Sequence, residues 1–216
     1  MEVIFSDNHL LIVNKPAGMS TQPHEGAQDD NLLDQAKAWL KKQFQKPGAV
    51  FLEPIHRLDK PVSGLVLFAR TSKALSRLQE MMRQREIEKT YFAWIEGTLL
   101  ETEGILEHYL FHDEHRSRVV NASHPQAKFA RLTYIKRDQY QGKSLVEIRL
   151  ETGRYHQIRC QFAAIGCPIV GDTKYGSISP WRKGEIALHH GRLKFFHPIT
   201  KSVLCFESSN GLLLNF

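Results

Sequence analysis

Only three cysteines occur in 216 residues, Cys160, Cys167 and Cys205. They are odd in number, and no two have the close spacing of a metal knuckle, so they read as reduced thiols in a cytosolic protein rather than as a disulfide framework. Long apolar runs are also missing. The longest, such as Leu10–Val13 and Gly64–Ala69, are far too short to span a bilayer. The N-terminus lacks a basic segment leading into an apolar one, so no secretory signal is expected. No repeat, low-complexity tract or Gly/Ser linker breaks the chain, and one compact domain over residues 1–216 is the default. Dinucleotide fingerprints, P-loops and Cys/His metal quartets are absent too.

What is present is a soluble-type composition, 42% hydrophobic and 24% charged, with enough length to bury a sizeable core. The net charge of +6 favours polyanionic partners through phosphate contacts and counterion release.

Val3–Phe5 and Leu10–Val13 flank a polar turn and predict two strands. Asp29 or Asp30 is placed to cap a helix carrying Leu32, Leu33, Ala36, Trp39, Leu40 and Phe44, stopped by Pro47-Gly48. Gly64–Ala69 suits a buried strand. Ser72 then caps a helix with Leu75, Leu78 and Met82 on its apolar face. Lys89–Glu96, Phe129–Ile135 and Ser144–Glu151 read as strands. His156–Ile165 reads as a helix with Ile158, Phe162 and Ile165 on one stripe, ended by Gly166. Leu193–Phe196 and Val203–Phe206 form a hairpin. This order argues for an α+β fold on a largely antiparallel sheet.

Two segments concentrate chemistry. In His56-Arg57-Leu58-Asp59-Lys60-Pro61-Val62-Ser63-Gly64, ionisable side chains crowd a turn that feeds an apolar strand. Pro61 biases Lys60 away from helical geometry and Gly64 permits a tight bend. Asp59 is thereby presented on a loop held by a rigid strand, although an Asp capping its own turn has the same local signature. In Thr152-Gly153-Arg154-Tyr155-His156-Gln157-Ile158-Arg159, a turn opens a helix on which His156 and Arg159 share a flank. Such a start could hold a phosphate, anchor a carboxylate from another loop, or be a plain cap with surface charge. His108, His112 and His115 approach metal spacing, but Asp113-Glu114 and Arg116-Ser117-Arg118 suggest a loop over a basic surface, and no metal is expected.

The His56–Arg70 segment resembles the His-Arg-Leu-Asp-x-x-Thr-Ser-Gly signature of the RluA family of pseudouridine synthases. Further segments match that family in the same order: Lys15-Pro16-Ala17-Gly18, Lys89–Gly97, Thr152–Arg159 with Gly166–Asp172, and Leu188–Leu193 leading to His197-Pro198. Val62 stands where Thr is usual, deleting a hydroxyl beside the Asp loop. Cys160-Gln161 and Cys167 are further departures.

The resemblance implies a pseudouridine synthase fold, with a central mixed, mostly antiparallel sheet flanked by helices and loops and a catalytic cleft. It implies isomerisation of uridines in ribosomal or transfer RNA after base flipping, without cofactor or metal, by a cytoplasmic monomer. Asp59 is then the nucleophile, Arg159 its partner and Tyr91 the aromatic that meets the base. Arg57, His56, Lys15, Arg154, His156 and Gln157 are expected to bind substrate. The small N-terminal RNA-binding domain of many relatives is expected to be missing, because the first strand begins almost at Met1. Rival readings are a non-catalytic RNA-binding module and a hydrolase of N-glycosidic bonds.

Overall fold

The computed structural model describes residues 1–23, 30–45 and 47–208. In chain order its elements are β1 (Glu2–Ser6), β2 (Leu10–Lys15), α1 (Leu32–Gln43), β3 (Glu53–Pro54), β4 (Ser63–Ala69), α2 (Ser72–Arg83), β5 (Glu88–Glu96), β6 (Glu103–Asp113), β7 (Arg116–Val120), β8 (Lys128–Tyr140), β9 (Lys143–Leu150), α3 (Gln157–Ala164), β10 (Leu188–Phe196) and β11 (Val203–Glu207). The chain divides into two compact units, one of residues 1–87 with 192–208 and the other of residues 88–191.

In the first unit β1 pairs antiparallel with β2, and β2 with β4, from Leu10 opposite Ala69 to Lys15 opposite Gly64. The β1–β2 turn is tied by Asp7, whose carboxylate accepts from the His9 and Leu10 amides, both at 2.7 Å. Every residue of β4 is buried, as a continuous apolar run at the centre of a sheet requires. The amphipathic face of α2 completes this core. Ala74, Leu78 and Met81 pack with Leu10, Ile12, Leu65, Leu67, Leu193 and Phe195, each large side chain contributing about 1.5–3 kcal/mol by leaving water.

Both helix starts differ from expectation by a residue or two. Asn31 caps α1, its side chain accepting from the Asp34 amide at 3.0 Å. Thr71, not Ser72, caps α2 by accepting from Ala74 at 3.2 Å. Asp29 lies outside the described residues. The inward positions of α2 shift accordingly, with Met81 buried and Met82 only half-buried. The predicted C-terminal hairpin is present, with β10 and β11 in register from Arg192 opposite Glu207 to Phe196 opposite Val203. Its turn is fastened by His197, whose Nδ1 accepts from the Ile199 and Thr200 amides while Nε2 donates to Asp7 at 2.9 Å.

In the second unit the strand order is β5–β9–β8–β6–β7, and the pairs β5–β9, β9–β8, β8–β6 and β6–β7 are all antiparallel. The segment expected as a histidine-bearing loop is instead the β6–β7 hairpin, joined by a two-residue turn in which Glu114 takes positive φ. Cys160 on α3 packs with Leu110 and Ala130. Ile158 and Phe162 are buried as expected, but Ile165 is exposed. The helix ends at Ala164, so Ile165 becomes its C-cap and Gly166 follows in the left-handed region at φ 76°, where glycine carries no steric cost. Cys167 is half-buried, and Cys205 on β11 is exposed. Among the described residues no helix is long and apolar enough to cross a membrane.

Candidate active site

Asp59 sits in the turn that leads into β4, with its carbonyl accepting from the Val62 amide at 3.0 Å. Three separate contacts from the β2 side fasten this turn. The Gly18 amide donates to the Lys60 carbonyl at 2.8 Å. Thr21 grips Leu58 from both sides, its hydroxyl donating to the Leu58 carbonyl at 2.9 Å and accepting from the Leu58 amide at 3.1 Å. Lys15, 0% exposed, donates from Nζ to the carbonyls of Met19 at 2.6 Å, Pro16 at 3.0 Å and Lys60 at 3.3 Å. Burial lowers the Lys15 pKa to about 8, against the attraction of Asp59, which raises it. A cation enclosed by three carbonyls therefore lies within electrostatic reach of the Asp59 carboxyl. Sequence reasoning missed Thr21, whose residue type and setting carry no signal of that role.

Arg57 is exposed beside this turn and Asp59 is half-buried. His56 is built into the strand edge, its Nε2 accepting from the Leu67 amide at 3.3 Å. That acceptor role fixes a neutral imidazole with its proton on Nδ1.

The second unit assembles its polar residues around the start of α3. His156 occupies the helix N-cap with φ 50°, a left-handed conformation that a histidine adopts only when its surroundings hold it there. Its Nε2 lies 3.0 Å from Nη1 of Arg159 and its Nδ1 2.9 Å from the Tyr175 hydroxyl. Since the guanidinium only donates, Nε2 accepts and Nδ1 carries the proton. Burial, reinforced by the charges of Arg159 and Lys174, pushes the His156 pKa down to about 3.

Arg159, 5% exposed, also donates from Nε to Asp172 Oδ2 at 2.6 Å and from Nη2 to Oδ1 at 2.9 Å. This two-pronged geometry is the strong form of a guanidinium–carboxylate pair. Asp172 itself is 1% exposed. It lay in a matched segment but was not foreseen as a site residue, because it stands thirteen positions beyond Arg159 and only folding joins them.

Gln157 is internal too. Its Oε1 accepts from the Thr152 hydroxyl at 2.7 Å and from the Arg154 amide at 3.0 Å, while Nε2 donates to the Arg131 carbonyl at 3.0 Å. Gln157 thus shapes the turn that presents Arg154, an exposed residue whose Nε reaches the Phe129 carbonyl at 2.9 Å. Tyr91 lies on β5 opposite Ile148 of β9 and is stacked on His190, ring centres 4.5 Å apart and planes 19° from parallel. The next residue, Gly191, leaves room for Phe92: a Cβ there would stand 2.6 Å from that ring.

The RNA pseudouridylate synthase family matches residues 9–164. A Bacillus subtilis (strain 168) protein called uncharacterized RNA pseudouridine synthase YhcT is 32% identical over 210 residues, covering 96% of this chain and 68% of its own length. Ribosomal large subunit pseudouridine synthase D of Nitrosomonas europaea is 33% identical over 217 residues, and the chain spans 61% of that protein's length. tRNA pseudouridine synthase C of Vibrio parahaemolyticus is 31% identical over 228 residues, with 97% of this chain and 90% of that one covered. Among solved structures, human RNA pseudouridylate synthase domain containing 4 superimposes with a TM-score of 0.78 at 21% identity, over 96% of this chain and 88% of that one. That likeness establishes the fold.

Proposed function

Because the chain belongs to the RNA pseudouridylate synthase family, we propose that it isomerises chosen uridines in structured RNA, with Asp59 as the nucleophile. The reaction breaks the bond from the sugar to ring nitrogen, turns the base and reattaches it through carbon-5. A carboxylate can attack the glycosidic centre or assist departure of the base. The observation that carries this reading is the fastening of the Asp59 turn. Lys15, Gly18 and Thr21 hold its backbone at Leu58 and Lys60, and a nucleophile kept in one geometry avoids an orientational cost worth several kcal/mol.

In this reading Arg159 is the partner of Asp59, and Tyr91 stacks on the extruded base; both roles come from the resemblance. Arg57 and Arg154, both exposed, contact RNA. His56, Lys15, His156 and Gln157 serve substrate binding indirectly, by holding the segments that carry the others. Flipping the uridine costs on the order of a few kcal/mol, supplied by contacts elsewhere on the RNA. The two units work as one catalytic domain, a cytoplasmic monomer that needs neither cofactor nor metal. Relatives named for large-subunit RNA and for transfer RNA make both classes the substrates to test.

The test is to map pseudouridines in total RNA treated with wild-type protein or with Asp59→Asn. Sites formed by the wild type and missing with the variant are expected. Identical maps would defeat the proposal, and free uracil with abasic positions would favour a hydrolase.

A further inference from the structure

The resemblance relates Arg159 to the nucleophile, yet within its own unit the guanidinium is already held on two edges. Nε and Nη2 donate to Asp172, and Nη1 donates to His156. The Tyr175 ring closes a third side, 5.0 Å below the guanidinium carbon. The same tyrosine fixes His156, because its hydroxyl meets Nδ1 at 2.9 Å and also accepts from the Ser117 amide at 2.8 Å. The ring of Tyr155 lies flat on His156, with centroids 3.8 Å apart.

Asp172 is in turn fixed by its backbone. Its amide donates to the Ile169 carbonyl at 2.9 Å. Gly171 before it adopts φ 83°, and a Cβ there would stand 2.4 Å from Cβ of Trp181. The Gly171 amide is held by the Ser177 hydroxyl at 2.9 Å, and that hydroxyl donates to Glu96 at 2.6 Å. Glu96 also accepts from the amides of Ile178 at 2.9 Å and Ser179 at 2.6 Å. Burial alone would raise its pKa, but these hydrogen bonds outweigh it and hold the group below the usual carboxylate range. Glu96 ends the strand that carries Tyr91. One strand therefore bears the stacking aromatic and, five residues on, the clamp for the loop that delivers Asp172.

The structure assigns Asp172 and Tyr175 as positioning residues for Arg159, fixing where its guanidinium points and, through Asp172, how much of its charge a further anion can use. This rests on the reading of Arg159 as the partner of the nucleophile. A buried cation on a flexible stem loses several torsional freedoms when held, and two rigid acceptors remove that cost before substrate arrives. A guanidinium set in advance also needs no reorganisation when charge develops.

The test uses the full chain with Asp172→Asn and Tyr175→Phe. Asp172→Asn keeps one carbonyl acceptor but loses the charge; Tyr175→Phe keeps the ring but loses the hydroxyl. Three quantities are read on variants that melt cooperatively: the single-turnover rate of pseudouridine formation at a site that wild type modifies in total RNA, the affinity for that RNA, and solvent exchange of the Arg159 Nε–H by NMR. For Asp172→Asn the expected result is a rate loss of about tenfold or more with affinity changed less than about twofold, and faster Nε–H exchange. For Tyr175→Phe a loss of about threefold to tenfold is expected, again without a matching change in affinity.

A folded Asp172→Asn with wild-type rate and unchanged exchange would overturn the assignment. If Asp172→Asn does not fold, Tyr175→Phe decides alone: a rate equal to wild type refutes its role. If wild type itself modifies no RNA, the nucleophile reading fails, while the exchange measurement still judges whether these residues hold Arg159.

Discussion

At the scale of single residues, Lys15 shows a cost accepted inside the fold. Its pKa falls to about 8 through burial, so keeping the ammonium charged costs on the order of 3 kcal/mol relative to an exposed lysine. The unfolded chain holds that proton up to the ordinary lysine value, whereas the native chain releases it near 8. Between those values the unfolded state binds more protons, and this group makes the native state gain stability as pH rises. Below pH 8 the full cost stands. Urea unfolding of wild type and Lys15→Met should therefore show the difference moving in favour of wild type between about pH 7.5 and about pH 10. A difference that stays flat would mean that the ammonium is not enclosed as described. Activity is a separate matter: Lys15→Met also removes one of the two ties on the Lys60 carbonyl beside Asp59, leaving that from the Gly18 amide, and a slower reaction with little change in RNA affinity is expected.

At the scale of elements, Gly191 in β10 is the point where strand and site depend on each other. A methyl group there collides with Phe92, and the preceding residue is His190, which stacks on Tyr91. Gly191→Ala should cost about 1–3 kcal/mol of stability, read as a lower urea midpoint, and should disturb the Tyr91 stack. An unchanged midpoint would show that Phe92 moves aside freely.

The sequence made most elements readable because their apolar periodicity was strong, as in β4 with its unbroken apolar run and α2 with its inward stripe. Cap positions escaped it: Ser72 and Asp30 have the right chemistry, but Thr71 and Asn31 hold the extended backbone from which a side chain can reach the third amide. The β6–β7 hairpin escaped as well. Histidines, charges and aromatics share its strands, and both its faces are partly exposed, so no clean alternation marks it. In the candidate site, residues within the matched segments were legible by type. The Thr21–Leu58 and Arg159–Asp172 contacts were not, since they are made by folding between positions with no shared pattern.

At the scale of the whole molecule, the net charge of +6 sets how RNA is first met. Phosphate contacts release counterions, so affinity should fall steeply with added salt, on the order of tenfold to a hundredfold between about 50 and about 200 mM for some three contacts. Filter binding or fluorescence anisotropy across that range checks it. A flat response would argue that base stacking, not the basic surface, supplies the affinity. Neutralising exposed Arg57 should reduce the slope by about one contact.

The three thiols are graded by their surroundings. Burial pushes Cys160 up to about 11 and raises Cys167 as well, while Cys205 lies open on β11. Thiolate is the species that alkylates. A maleimide dye added at neutral pH should consequently couple at one position, giving a uniformly tagged protein for following RNA capture in real time without engineering a single codon.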